Sequence, residues 1–237
     1  MRLCGALAAV GARVAIIGRS AAGLQAAREA VEAVGSEALV LAGDMTKETD
    51  ADRVVEDTIA AFGRLDILVN GVGGGAGAAL HSAEEYPEKD WDWIIDLNLR
   101  SQFLVSKAAA RAMIAGGRQG RILNISSVRA QLGIQLGYSA YVAAKGAMNA
   151  LTRQHATEWA KHGITVNAIS PTFVRTPQVE SLLADESFRE GLVKRIPLGR
   201  IAEPDDLVGA ALFFCSDASS FVTGQVLTLD GGLTASQ

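Results

Sequence analysis

Apolar runs of four or five residues, each followed by a longer stretch with helical spacing, recur along the whole chain. Val14–Ile17, Ala38–Leu41, Leu65–Val69, Arg121–Ile125, Thr165–Ile169 and Val226–Leu229 are short and largely apolar, so they read as buried strands. Helical patterns separate them: residues 2–10 stopped by Gly11, Ala21–Val34 capped by Ser20 and stopped by Gly35, Thr46–Phe62, Trp91–Ala115, Tyr141–Lys161 and Pro204–Cys215. Residues 171–200, with Pro171, Pro177 and Pro197, read as irregular. Buried strands alternating with helices leave little choice of architecture. The strands run parallel, the crossovers are right-handed, and helices cover both faces. The expected fold is α/β, a doubly wound parallel sheet in a single domain over residues 1–237. With 49% hydrophobic residues, a chain of this length can bury the core that such a sheet needs.

Open sheets of this kind bind ligands beyond the carboxyl ends of their strands. That rule places Gly18-Arg19, Gly43-Asp44, Asn70–Gly75, Ser126-Ser127 and Ser170–Thr176 along one edge. Tyr141 and Lys145 fall at the start of the helix reached from that edge. They are four residues apart, so phenol and ammonium face the same side, one turn from each other. A nearby cation favours phenolate and lowers the tyrosine pKa. A phenol tuned in this way can move a proton on or off an alcohol near neutral pH. A serine hydroxyl beside it would hold the substrate oxygen.

The net charge of −4 and the lack of a basic run give no reason to expect nucleic acid. No apolar run is long enough to span a bilayer, and no metal site is expected. Cys4 and Cys215 lie in apolar helical patterns and read as free thiols in a reducing cytoplasm. The opening Met1–Arg13 imitates a secretory signal, with Arg2 before a short apolar stretch. However, a core strand follows at once, and the stretch reads better as a helix.

Several blocks, in order and across nearly the whole chain, resemble the short-chain dehydrogenase/reductase family. They are G-R-L-D-I-L-V-N-G-V-G (63–73), D-L-N-L (96–99), N-I-S-S-V (124–128), Y-V-A-A-K-G-A (141–147), H-G-I-T-V-N-A-I-S-P-T (162–172) and V-T-G-Q-V-L-T-L-D-G-G (222–232). The resemblance implies a Rossmann-type fold and an NAD(P)-dependent oxidoreductase that interconverts a secondary alcohol and a ketone. The substrate would be of the sugar or polyol, hydroxy acid or 3-oxoacyl kind. It implies Tyr141 as acid/base. Lys145 would lower the pKa of Tyr141 and hold the nicotinamide ribose. Asn98 would hold a water touching Lys145, completing a proton relay. For the serine that bonds the reacting oxygen, both Ser126 and Ser127 stand near the family position, and Ser127, the last of I-S-S, is the usual match. Tyr138 is a competing phenol without a lysine one turn on, and reads as pocket wall.

By the same resemblance Asp44 would bond the adenine amino group. Asn70 and Gly71 would contact the cofactor, although Asn-Gly-Val-Gly departs here from the family's Asn-Asn-Ala-Gly. Val174 and Thr176 would meet the nicotinamide amide and a phosphate. After Val14–Ile17 the family often has an acid that accepts both ribose hydroxyls of NAD. This chain has Gly18-Arg19-Ser20, and a guanidinium can fork onto a 2′-phosphate, so NADP is favoured over NAD.

The family's first strand and its T-G-x-x-x-G-x-G turn would precede the helix ending at Val10. The reading is therefore of a domain incomplete at its N-terminus, lacking a central strand and the turn that cradles a pyrophosphate. Gly71-Val72-Gly73-Gly74-Gly75-Ala76 fits G-x-G-x-x-A, but no helix pattern opens after it. It reads as a wall of the nicotinamide pocket. A competing reading is a truncated, inactive remnant or partner subunit. Gln178–Leu198 matches the family's variable substrate lid, and Arg129, Gln131 and Gln135 would give the pocket a polar side. The helices Trp91–Ala115 and Tyr141–Lys161 match those of the family's dimer interface, which implies a homotetramer or homodimer.

Overall fold

The computed structural model describes residues 1–135 and 137–236. Helix α1 (Arg2–Ala9) leads into β1 (Val14–Gly18), α2 (Ala21–Glu32), β2 (Ala38–Ala42) and α3 (Glu48–Phe62). Strand β3 (Ile67–Asn70) is followed by α4 (Glu88–Ile95), α5 (Ser101–Ala115), β4 (Gly120–Ile125), α6 (Ser139–Trp159) and β5 (Ile164–Pro171). Helices α7 (Glu180–Ala184), α8 (Glu186–Lys194) and α9 (Val208–Phe214) precede β6 (Val226–Leu229). Every described strand pair is parallel. The local signals account for the element ends. Ser20 Oγ accepts the Gly23 N–H at 3.2 Å and caps α2. Gly63, left-handed at φ 75°, stops α3.

The strands form two hydrogen-bonded groups, β1-β2 and β3-β4-β5-β6. Among the described residues no ladder joins β1 to β3. Shared apolar cores join the groups instead. Ile17 of β1, Leu41 of β2 and Leu68 of β3 pack with Met45, Val54, Leu104 and Val105. Leu3 and Leu7 of α1 pack with Ile67, Val69, Leu123 and Ile169. The signal-like opening is thus a helix seated on the core. Its small residues let it approach α2 closely, and a Cβ on Gly5 would lie 2.8 Å from the Ala30 carbonyl oxygen. The expectation that a missing central strand leaves the core open is corrected by these contacts.

Two other expectations change. The single helix Trp91–Ala115 is three pieces, with a π-helical turn at Asp96–Arg100 between α4 and α5. One extra residue per turn is a common device for aiming a side chain at a functional site, and here the turn carries Asn98. The segment 171–200 is not wholly irregular. Asp185 Oδ1 accepts the Phe188 N–H at 3.0 Å and starts α8. Leu183, Leu192 and Ile196 then pack under Phe173 and Val179, so the segment folds back over the edge of the sheet.

Candidate active site

The carboxyl ends of β4 and β5 and the first turns of α6 bring the expected catalytic residues together. Ser127 follows β4, extended at φ −162°, and its hydroxyl accepts the Arg129 N–H at 3.2 Å. That hydroxyl also lies within hydrogen-bonding reach of the Tyr141 phenol. Ser126 points elsewhere, donating to Asn149 Oδ1 at 2.6 Å. The geometry therefore separates the two serines that spacing left open. Asn149 was not singled out from sequence, yet it stands one turn beyond Lys145 on the same helix face. Tyr138 lies edge-on to Tyr141, with ring centroids 6.1 Å apart.

Lys145 is 3% exposed, and its Nζ donates to the Ile125 carbonyl at 2.9 Å. Burial without a carboxylate partner brings its pKa down to about 7. Its Nζ is 5.6 Å from the Tyr141 ring centroid. Burial pushes the Tyr141 phenol above its ordinary value. The Ser127 hydrogen bond and the positive charge of Arg129 pull the other way. The sequence made Lys145 the cation that favours phenolate. Arg129 adds a second positive charge on the same side of the balance, and burial reduces the charge that Lys145 itself carries near neutral pH.

Asn98 is fully buried. Its carboxamide accepts the Gly74 N–H at 2.8 Å and donates to the Gly74 carbonyl at 2.9 Å and the Ile94 carbonyl at 3.0 Å. A Cβ on Gly73 would lie 2.9 Å from Asn98 Oδ1 and 3.3 Å from Lys145 Nζ, so a side chain there would intrude between them. The Gly-rich run opens no α-helix. Only a 3₁₀ turn, Ala76–Ala78, follows.

The residues expected at the cofactor's other end lie on β1, β2 and β3. Arg19 is exposed after β1, and its charge reaches Asp44 after β2. Asp44 Oδ1 accepts Thr46 N–H at 3.1 Å and Thr46 Oγ–H at 2.8 Å. Partial burial works against ionisation of Asp44. The Thr46 bonds and the Arg19 and Lys47 charges outweigh it, so its pKa falls. Asn70 is turned inward, donating to Ser106 Oγ at 2.7 Å and Asn124 Oδ1 at 2.8 Å, which leaves Gly71 as the exposed backbone at the end of β3. Val174 bridges to Ala202 in parallel, and the Thr176 carbonyl accepts the Val179 N–H at 3.0 Å.

A cavity of about 190 Å³ opens where these parts meet. Ser127, Tyr138, Tyr141, Val174 and Thr176 line it, together with Arg129, Gln178 and the glycines Gly74, Gly75 and Gly77. Thr172 and Phe173, from the Ser170–Thr176 segment that the strand-end rule places at this edge, also stand in its wall. The Thr172 hydroxyl is buried with no partner, as is that of Ser170. Buried hydroxyls are rarely left unpaired. These two, with Lys145 and the side-chain-free glycines, fit a site built to receive a polar dinucleotide and its substrate.

A family model described as "Enoyl-(Acyl carrier protein) reductase" matches residues 2–234. Gluconate 5-dehydrogenase of Gluconobacter oxydans (strain 621H) is 42% identical over 239 residues, covering 100% of this chain and 90% of that protein. A short-chain type dehydrogenase/reductase from Mycobacterium marinum superposes with a TM-score of 0.91 at 33% identity, over 98% of this chain and 90% of that one. A gluconate 5-dehydrogenase from Burkholderia cenocepacia J2315, in complex with NADP and tartrate, superposes with a TM-score of 0.90 at 34% identity, over 100% of this chain and 91% of that one. The family match takes in α1 from residue 2, so the expectation of a missing first strand is not borne out. The remnant reading is not favoured either, since the likeness to dehydrogenases runs the length of the chain. The alternating strands, the Ser127–Tyr141–Lys145 cluster and these likenesses lead to one conclusion: the chain belongs to the short-chain dehydrogenase/reductase family and is an NAD(P)-dependent oxidoreductase of alcohols and ketones.

Proposed function

We propose that the enzyme interconverts a secondary alcohol and a ketone on a small polyhydroxylated substrate, a sugar acid or polyol, with NADP preferred over NAD. The observation that carries this is the cavity where Ser127 and Tyr141 meet. Pockets for drug-sized ligands run to about 300–1,000 Å³. A cavity near 190 Å³, with polar groups on several sides, suits a compact, hydroxyl-rich substrate better than a long acyl thioester. The gluconate dehydrogenases that this chain resembles support the same substrate class.

In the oxidative direction, Ser127 holds the substrate hydroxyl oxygen against Tyr141. Because burial holds the phenol above its ordinary value, Tyr141 acts as base in its ionised fraction, whose phenolate takes the hydroxyl proton as the C–O bond becomes a carbonyl. When bound, the nicotinamide supplies the hydride acceptor. Lys145 would hold the nicotinamide ribose, and Asn98 a water beside Lys145 through which the phenol regains its charge. Asp44, Gly71, Val174 and Thr176 would hold the rest of the cofactor. Asn70 would act there through its backbone, since its side-chain NH₂ is spent inside the sheet.

Cofactor preference rests on Arg19, an exposed guanidinium at the end of β1 with no acid in the preceding strand. Arg19→Ala should weaken NADPH binding by about 1.5–3 kcal/mol, the scale of a hydrogen bond to a charged group, and leave NADH nearly unchanged. Titration of both cofactors by fluorescence or calorimetry tests it, and equal losses would refute a role in reading the 2′-phosphate. Turnover with NADP⁺ and NAD⁺ across sugar acids, polyols, cyclic ketones and 3-oxoacyl thioesters tests the whole reading. Activity confined to the thioesters would overturn it.

The protein is further proposed to work in the cytoplasm, where two free thiols are stable, and as a homotetramer or homodimer. Trp91 and Trp93 on α4 and Phe103 and Ile114 on α5 are exposed aromatic or aliphatic groups on the elements that the family uses for assembly. Light scattering at micromolar concentration should give a mass of at least twice the 24.8 kDa chain. A folded monomer would contradict this.

A further inference from the structure

Arg129 is a cation without a carboxylate. It is 4% exposed, and among the described residues no ion pair includes it. Arginine is almost never fully buried unless it is paired. Among the described residues its guanidinium makes one hydrogen bond, Nη1 to the Gly133 carbonyl at 3.0 Å, out of five donors. The Phe173 ring lies 6.0 Å from Cζ and covers one face. The neighbouring Arg195 adds positive charge rather than neutralising it, and burial works against the cation. Among the described residues no acidic side chain lines the cavity that Arg129 shares with Ser127 and Tyr141. Thr172, with its unpartnered hydroxyl, and Gln178 add neutral polar groups to the same wall.

We infer that Arg129 is a specificity-determining residue that binds a carboxylate of the substrate, so that the enzyme selects hydroxy acids over the matching neutral polyols. The inference rests on the proposed alcohol/ketone chemistry at this site and narrows its substrate class. A planar, doubly donating guanidinium matches a carboxylate's two oxygens, and among the described residues no further acceptor meets the remaining donors. Ser127 and Tyr141 hold the reacting hydroxyl. A carboxylate on Arg129 would then fix the direction in which the substrate chain lies across the cavity. The nearest competing account gives Arg129 no ligand and leaves it only its electrostatic effect on Tyr141.

The test uses the full chain with NADP⁺ and a panel of five- and six-carbon polyhydroxy acids, each beside its primary amide and the corresponding polyol. In the unaltered enzyme kcat/KM for the acid should exceed that for the amide by about 10- to 100-fold, the scale of charge-assisted bonds. Arg129→Gln should erase most of that ratio by raising KM for the acid and not for the amide, while any loss of kcat through Tyr141 falls on both substrates alike. Arg129→Lys keeps the charge but loses the fork and should fall between. NADPH affinity and melting temperature show whether each variant is folded. Equal kcat/KM for acid and amide in the unaltered enzyme would overturn the inference without any variant. So would Arg129→Gln losing acid and amide alike with a displaced kcat–pH profile, because that is the signature of an effect on Tyr141 alone. Turnover of polyols and amides but not acids would overturn the inference and leave the proposed chemistry standing. No turnover of any polyhydroxy compound would overturn both.

Discussion

Tyr141→Phe should lower kcat by about 100-fold or more while leaving NADP(H) affinity unchanged, since general acid/base groups contribute about 10²–10⁴ in rate and the phenol oxygen is all that is removed. Ser127 would keep its bond to the Arg129 N–H, and Tyr138 would keep its edge contact with the ring, so the site should otherwise hold its shape. Tyr138→Phe is the control. Its phenol also lines the cavity and is also pushed up by burial, but no lysine lies one turn beyond it. Its loss should be milder. Near-normal turnover in Tyr141→Phe, measured with saturating cofactor in a variant that melts like the parent, would remove Tyr141 from the mechanism.

Lys145→Met should abolish most turnover and also change how stability depends on pH. In the folded chain burial brings the Lys145 pKa down to about 7, against an ordinary value of 10.5. Between those values the unfolded chain holds a proton that the folded chain does not, so raising the pH favours folding. Below about 7 both states are protonated and the burial penalty is felt in full. The unaltered protein should therefore gain stability relative to Lys145→Met as pH rises through this window, by up to about 1.4 kcal/mol per pH unit at its steepest. The comparison between the two proteins cancels groups common to both, such as Cys215, whose thiol is pushed up to about 12 by burial. Loss of the bond to the Ile125 carbonyl shifts the variant's stability by a constant and leaves the slope untouched. Denaturant unfolding at several pH values would measure it. A difference independent of pH would mean that Lys145 is not desolvated in solution.

Much of this arrangement was legible before any coordinates, for identifiable reasons. Strand β6 was placed to the residue because Val226–Leu229 is an apolar run bounded by turn residues. Tyr141, Lys145 and Ser127 were legible because a helix fixes what is one turn apart and a parallel sheet fixes which strand ends converge. The break at Asp96–Arg100 was not legible, because a π turn leaves the apolar pattern on either side intact. Helix α8 was hidden among prolines, although its Asp185 cap stood in the sequence. The choice between Ser126 and Ser127 lay beyond spacing altogether, and it took Asn149, one turn beyond Lys145, to turn one of them away. The desolvation of Lys145 was also hidden. Sequence counts charges, while the dielectric around Lys145 follows only from what packs upon it.

The division of the strands into β1-β2 and β3-β4-β5-β6 bears on how the molecule breathes. Opening the smaller group breaks side-chain packing at Ile17, Leu41 and Leu68 but no interstrand ladder. Units joined in that way can detach at a free energy well below that of global unfolding. Arg19 and Asp44 ride on the smaller group, and Ser127, Tyr141 and Lys145 on or beside the larger. A dinucleotide gripping both would act as a staple across a seam that the backbone leaves open. Its binding free energy would then be spent partly on holding the halves together, and the resting enzyme's lifetime against proteolysis would follow the cofactor concentration.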